Sequence, residues 1–167
     1  MKEIYLAGGC FWGTQHLIKQ LYGVIATETG YANGEGEHPS YEEVYTDRTG
    51  FAETVRVAYD PEKITLERLL HLYFRSIDPT AHNRQGEDVG TRYRTGIYYT
   101  DASDLCTIRA CYAEVETAYG RPLAVEVMPL VNFYAAEPYH QDYLDKHPDG
   151  YCHIPHALIE EARKMCD

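Results

Sequence analysis

The amino-acid sequence predicts an α+β fold, and three observations carry that reading. Apolar-rich runs of strand length alternate with two helical stretches in the order β-α-β-β-α-β, the split β-α-β pattern of a ferredoxin-like core. A further helix and strand follow as an extra α-β unit. Sequence punctuated by proline and glycine then makes a loop-rich C-terminal tail.

Residues 3–7 read as a short strand, and residues 11–21 as a helix that opens directly after Cys10. Residues 24–31 form the second strand candidate, followed by the Asn33-Gly34-Glu35-Gly36 loop and a helical turn over residues 41–45. Residues 52–59 alternate: Glu53, Val55, Val57 and Tyr59 share one face, Thr54 and Arg56 the other, and Pro61 ends the run. The clearest helix covers residues 65–77, with Leu66, Leu69, Leu70, Tyr73, Phe74 and Ile77 at helical spacing. Residues 79–94 read as loop and residues 95–100 as a strand. A helix over residues 102–119 puts Leu105, Ile108, Tyr112, Val115 and Tyr119 on one stripe, with Gly120 as its stop. Residues 124–128 read as the last strand. Short helices over residues 138–146 and 155–165 each have a proline suited to the first turn.

The chain has 167 residues, near the length of one ordinary domain, and no repeat or linker, so a single domain over residues 1–167 is expected. Fifteen basic residues against 26 acidic ones give a formal charge of −11, which leaves no basic footprint for nucleic acid. Nothing approaches the ~18 consecutive apolar residues of a membrane span. The few residues before Cys10 are too short for a signal peptide, so a cytoplasmic protein is expected. Five cysteines, with no CxxC pair, favour free thiols over a disulfide framework. Cys152, with His147, His153 and His156 nearby, has no recognised zinc spacing, so neither metal nor cofactor is expected. Sixteen tyrosines point to polar-tipped aromatic surfaces or a hydroxyl-lined pocket.

The most informative stretch is Gly8-Gly9-Cys10-Phe11-Trp12-Gly13. A thiol between a strand end and a helix start meets orphan N–H groups and the positive end of the helix dipole, which favour the thiolate. Flanking glycines let the backbone bend and a ligand come close. Phe11 and Trp12 point to an apolar pocket beside the sulfur, or else to a cysteine packed under a strand–helix corner. Cys106 and Cys111 lie inside a helix and read as inert.

Gly9-Cys10-Phe11-Trp12-Gly13 resembles the active-site motif of the peptide methionine sulfoxide reductase A family. Further segments recur in the same order: Gly30-Tyr31-Ala32-Asn33-Gly34, Tyr41-Glu42-Glu43-Val44, Gly50-Phe51-Ala52-Glu53, Asp78-Pro79-Thr80 and Asn83-Arg84-Gln85-Gly86. Asp88-Val89-Gly90-Thr91-Arg92-Tyr93-Arg94, His140-Gln141-Asp142-Tyr143-Leu144 and Gly150-Tyr151-Cys152 complete the series, which spans nearly the whole chain.

The resemblance implies reduction of methionine-S-sulfoxide, free or in proteins, with electrons from thioredoxin. A thiolate attacks sulfur and the oxygen needs a proton or a hydrogen bond to leave. Cys10 matches the family's nucleophile and Glu53 its acid, and an apolar strand face beneath Glu53 is expected to keep it protonated. Tyr41 and Tyr93 match the hydroxyls that hold the sulfoxide oxygen, and Asp88 a supporting carboxylate. Phe11 and Trp12 match the wall for the S-methyl group. The resulting sulfenic acid is resolved by a second thiol. The resemblance gives that role to Cys152, with Cys166 a candidate second recycling thiol. It also allows fusion to a second reductase domain in a longer chain. His140 and Tyr143, on one helix face, are expected to support the pocket. Read from residues alone, two other functions stay open: a cysteine hydrolase with Cys10 as nucleophile and His140 as base, or a module whose aromatic pocket binds a sulfoxide or thioether.

Overall fold

The computed structural model describes residues 1–165. Its strands are β1 (Lys2–Gly8), β2 (Val24–Ala32), β3 (Ala52–Tyr59), β4 (Arg84–Gln85), β5 (Asp88–Val89), β6 (Thr95–Tyr99), β7 (Glu126–Pro129) and β8 (Phe133–Ala135). Its helices are α1 (Phe11–Ile18), α2 (Tyr41–Tyr45), α3 (Leu66–Arg75), α4 (Leu105–Tyr119), α5 (Tyr143–Lys146) and α6 (His156–Lys164). Six strands form one mixed sheet in the order β7-β6-β1-β3-β2-β8. β3 lies antiparallel between β1 and β2, and α1 makes the crossover that joins those two. β6 runs antiparallel to β1, and β7 is parallel to β6 because α4 carries the chain back across. Among the described residues, no helix is long and apolar enough to cross a membrane.

Side-chain pattern decides which face each element buries. Ile4, Leu6, Val55, Val57, Tyr59 and Ile97 point from the sheet onto Leu17, Ile18, Leu69, Leu70, Tyr73 and Phe74 of the helices. On the opposite face the residues are Tyr5, Ala7, Ala32, Ala52 and Tyr98, against which Met128, Leu130 and Phe133 pack. Both faces of β3 are therefore covered, and seven of its eight residues are buried. Glu53 is one of them. The Tyr73 hydroxyl donates to the Ala7 carbonyl at 2.6 Å and accepts from the Gly96 amide at 3.2 Å, tying α3 to β1 and β6 just before the chain reaches Cys10. Thr65 caps α3 by accepting from the Arg68 amide, and Ser40 with Glu43 forms a capping box on α2.

The structure corrects several expected elements. α1 stops at Ile18 because the chain tightens and turns at Gly23 (φ +95°) to enter β2. Residues 79–94 hold the β4–β5 hairpin and a 3-10 turn at Thr91–Tyr93, not loop alone. α4 follows a 3-10 turn at Ala102–Asp104, and its end residue Tyr119 is exposed while Cys111 takes a buried place. The last strands are β7, starting at Glu126, and the short β8, which pairs with the far edge at β2. Residues 138–146 do not form one helix. Gln141 leaves helical geometry so that its amide bonds both backbone groups of Thr29, each at 2.9 Å, and Asp142 then takes a left-handed conformation (φ +52°). His140 and Tyr143 thus sit on either side of a break rather than on one helix face.

The strand-to-helix corner is the sharpest constraint on the site. Gly9 has φ +83°, and a Cβ there would lie 2.8 Å from the Gln85 Cβ. Gln85 cannot give way, since its amide bonds the Asp78 N–H and C=O, each at 2.8 Å. Gly9→Ala is expected to lose about 1–3 kcal/mol of stability through backbone strain and overlap. Thermal unfolding reads it directly; a midpoint equal to that of the unsubstituted chain would show that the corner relaxes freely.

Candidate active site

Cys10 is the N-cap residue of α1, 8% exposed, where the end of β1 delivers the chain to the first helical turn. The next amide, Phe11 N–H, donates to Glu53 Oε1 at 3.2 Å, so the acid on β3 and the thiol meet at the start of the helix. Glu53 is 2% exposed. Burial is the main force on its carboxyl and pushes the pKa up to about 8, against the Phe11 N–H and the Arg92 charge, which pull it down. At neutral pH the group is a buried acid carrying its proton.

Burial also pushes the Cys10 thiol well above the ordinary thiol range, and the Glu53 carboxylate adds to the rise. The helix start does act, through a backbone hydrogen bond from Trp12, but it is outweighed. This reverses the expectation of a lowered pKa: the helix dipole favours a thiolate at this position, and loss of water at a buried sulfur costs more.

Three further expected residues gather on the same acid. Burial and the nearby Glu53 push the Tyr41 hydroxyl up to about 12 and raise that of Tyr93. Both phenols are therefore firm proton donors at neutral pH. Asp88 acts electrostatically on Cys10 and Glu53, and lies beside the Tyr151 hydroxyl. Phe11 is 1% exposed, packed between Tyr31 and His140, and so belongs to the core floor of the pocket. Trp12 is the wall. It stacks on Tyr143 with ring centroids 3.6 Å apart and 8° between planes, and its Nε1–H donates to His140 Nδ1 at 3.0 Å. That hydrogen bond, and burial lowering its pKa, keep His140 neutral.

Cys152 comes in from the tail. A Cβ added at Gly13 would lie 3.2 Å from its Sγ, so the second thiol packs on α1 one turn beyond Cys10. A cavity of about 470 Å³ opens on its other side, lined by His16, Leu144, Pro148 and Ile159 among others. A larger cavity of about 600 Å³, between Asn33, Asp47, His82 and Arg94, holds none of the expected site residues. Cys106 is exposed and Cys111 buried, both on α4 away from this site. Cys166 lies outside the described residues. Among the described residues, no group of three or more His, Cys, Asp or Glu side chains is arranged to hold a metal ion.

Some neighbours were not legible as site residues. Arg92 is 8% exposed, lies 4.2 Å over the Tyr45 ring and 4.3 Å over the Tyr93 ring, and is paired with Asp47. Glu137 accepts from the Tyr31 hydroxyl at 2.9 Å and the Tyr41 amide at 3.0 Å, which fixes the start of α2. The one sequence signal for Arg92 is its place beside Tyr93; nothing marks Glu137.

The family model described as "Peptide methionine sulfoxide reductase" matches residues 2–166. A Clostridium acetobutylicum protein named "Peptide methionine sulfoxide reductase MsrA" is 50% identical over 161 residues, covering 96% of this chain and 99% of its own. The structure of Mxr1 from Saccharomyces cerevisiae in reduced form superposes with a TM-score of 0.86 at 42% identity, covering 90% of this chain and 88% of that one. Mxr1 in complex with Trx2 superposes with a TM-score of 0.60 at 31% identity, covering 85% and 84%.

The buried acid makes stability depend on pH. Glu53 titrates near 4.5 when unfolded and near about 8 when folded, so the native state holds the extra proton between those values. Its stabilising contribution is complete below about 4.5 and is lost as the pH rises through about 8. The melting temperature is expected to fall by at least about 3 °C across that window, and Glu53→Gln to remove most of the fall. Parallel curves for the two proteins would show that Glu53 is not a buried acid.

Proposed function

The chain belongs to the peptide methionine sulfoxide reductase family and is an oxidoreductase, and we propose that it reduces methionine-S-sulfoxide, free or in proteins, through a sulfenic acid on Cys10. The observation that carries this reading is Glu53, a fully buried acid bonded to the amide next to the thiol. Glu53 gives its proton to the sulfoxide oxygen, while Tyr41 and Tyr93 donate hydrogen bonds to it. Trp12 and Phe11 enclose the S-methyl group. Cys10 sulfur attacks the electrophilic sulfur as its own proton passes to the Glu53 carboxylate, the oxygen moves to Cys10 as the hydroxyl of a sulfenic acid, and methionine leaves with its sulfur reduced by two electrons. Asp88 orients the substrate side of the pocket.

Cys152 then attacks the Cys10 sulfenic acid, forming a disulfide and releasing water. A thioredoxin dithiol returns both cysteines to thiols by disulfide exchange. The Mxr1–Trx2 complex supports a reductant of this class, since the neighbour in that complex shares the fold with this chain. Cys166 stays a candidate second recycling thiol, for a step after the first disulfide. The split β-α-β arrangement supports reading the core as ferredoxin-like, and residues 1–167 as one catalytic domain. An aromatic pocket that only binds sulfoxide has no use for an acid with a pKa of about 8.

Cys10→Ser is expected to abolish turnover, because a hydroxyl cannot accept the oxygen; activity at the normal rate would end the reading. Glu53→Ala is expected to slow the first step by about 10²–10⁴, and Glu53→Gln less, because an amide still donates a hydrogen bond. Equal single-turnover rates in stopped-flow assays would remove Glu53 from the chemistry. Cys152→Ser is expected to release about one methionine per enzyme and then stall with thioredoxin. Mass spectrometry of non-reduced peptides after one equivalent of sulfoxide identifies the cross-link; a dominant Cys10–Cys166 bond would reassign the second thiol.

A further inference from the structure

His153, next in sequence to Cys152, has no part in the chemistry described so far, and its surroundings are unusual. Its ring lies along the start of α1. The Nδ1 end is 3.2 Å from where a Gly13 Cβ would sit, and the Cys152 Sγ is 3.2 Å from the same point. The Nε2 end is 3.4 Å from a Cβ placed on Gly9, the residue before Cys10. The imidazole and the Cys152 sulfur therefore pack against the same point of α1, and the far end of the ring faces the residue before Cys10.

Both ring nitrogens are shielded from solvent and make no hydrogen bond. The Gly8 carbonyl lies alongside without the geometry of one. Asp88 Oδ2 is likewise buried with no hydrogen-bond partner, and the Asp88 charge acts on both His153 and Cys10. An unpaired buried polar group is costly, so three such atoms on two neighbouring side chains are not a packing convenience. Burial lowers the pKa of His153, so the ring is neutral and one nitrogen offers a lone pair.

We propose that His153 is the catalytic acid–base of the second step, held for that task beside Asp88. The inference rests on the reading of Cys10 and Cys152 as the disulfide pair. His153 takes the proton from the Cys152 thiol. The Cys152 sulfur attacks the Cys10 sulfur, and the S–O bond breaks with its electron pair on oxygen. The imidazolium returns the proton to that oxygen, which leaves as water. One thiol and one sulfenic acid give one disulfide and one water, with the imidazole unchanged. Burial raises the Cys152 thiol above its ordinary pKa, which is why this thiol needs a base while Cys10 has the sulfoxide site's own acid.

The test separates the two steps in a single turnover with one equivalent of methionine sulfoxide. Released methionine reports the first step. Non-reduced peptide mapping reports the disulfide, and dimedone captures sulfenic acid left on Cys10. His153→Ala is expected to release methionine within about threefold of the normal rate and to form the disulfide about 10²-fold more slowly. Dimedone-labelled Cys10 accumulates, and added imidazole restores part of the second rate. His153→Asn, which keeps a polar side chain but moves no proton, is expected to stay slow. A normal disulfide rate in either variant overturns the proposal. So does a slow second step that imidazole leaves unchanged, or an equal loss in both steps, because misplacement of the tail alone gives those results. If the unsubstituted protein forms no Cys10–Cys152 disulfide, the pairing itself fails and takes this assignment with it.

Discussion

A carboxyl group carried to the interior on β3 sets the terms for the rest of the site. Glu53 has no direct cationic partner, and it accepts a hydrogen bond from the first amide of α1. A buried carboxylate without a close counter-charge is costly, so the group keeps its proton up to about pH 8. β3 makes this possible because its neighbours β1 and β2 pair with it on both edges, while helices cover one face and the 128–133 segment the other. Water has no route to Glu53 along the sheet. Arg92 moderates the effect: laid between Tyr45 and Tyr93 and paired with Asp47, it lowers the Glu53 pKa without touching the carboxyl.

The same dryness acts on Cys10. Burial favours the protonated thiol as it favours the protonated acid, so acid and nucleophile hold their protons together in one small volume. On the proposed chemistry this is an advantage. A thiolate exposed in the resting protein is open to oxidants and alkylating agents. A thiol that ionises only when an oxygen accepts the acid's proton reacts with the intended substrate first.

The sequence and the structure agree best where one residue type decides the outcome. The stripe of Leu66, Leu69, Leu70, Tyr73 and Phe74 is legible because a single face of α3 meets the core. Cys10 is legible because glycines bracket it at a strand–helix corner, and Glu53 because Val55, Val57 and Tyr59 beneath it are apolar. What escaped depends on long-range partners. The break at residues 141–142 follows from the Gln141 amide reaching Thr29, a pairing 112 positions apart that no local pattern encodes. β8 escaped because three residues are too few for a period, and it exists only where β2 offers an open edge. The direction of the Cys10 pKa escaped for a different reason. The helix start is visible in sequence, whereas the depth of burial that outweighs it is a property of the tertiary packing.

The two proposed thiol steps ask opposite things of the fold, and the molecule has different materials for each. The first needs a fixed pocket. Trp12 is held on three sides, by its stack on Tyr143, its hydrogen bond to His140 and its place in the first turn of α1. Aromatic rings with two torsions each lose little entropy when so fixed. The second step needs two sulfurs, far apart in sequence, to close to bonding distance. Residues 147–155 contain no helix or strand, and a loop without ladder hydrogen bonds shifts at low cost. Gly13 leaves room on the helix for Cys152 and His153 to approach, and the cavity behind Cys152 leaves room for retreat. A side chain at Gly13 would take the first space, and a well-packed tail would take the second. The absence of regular structure around Cys152 is thus the counterpart of the rigid corner around Cys10, and the chemistry needs both.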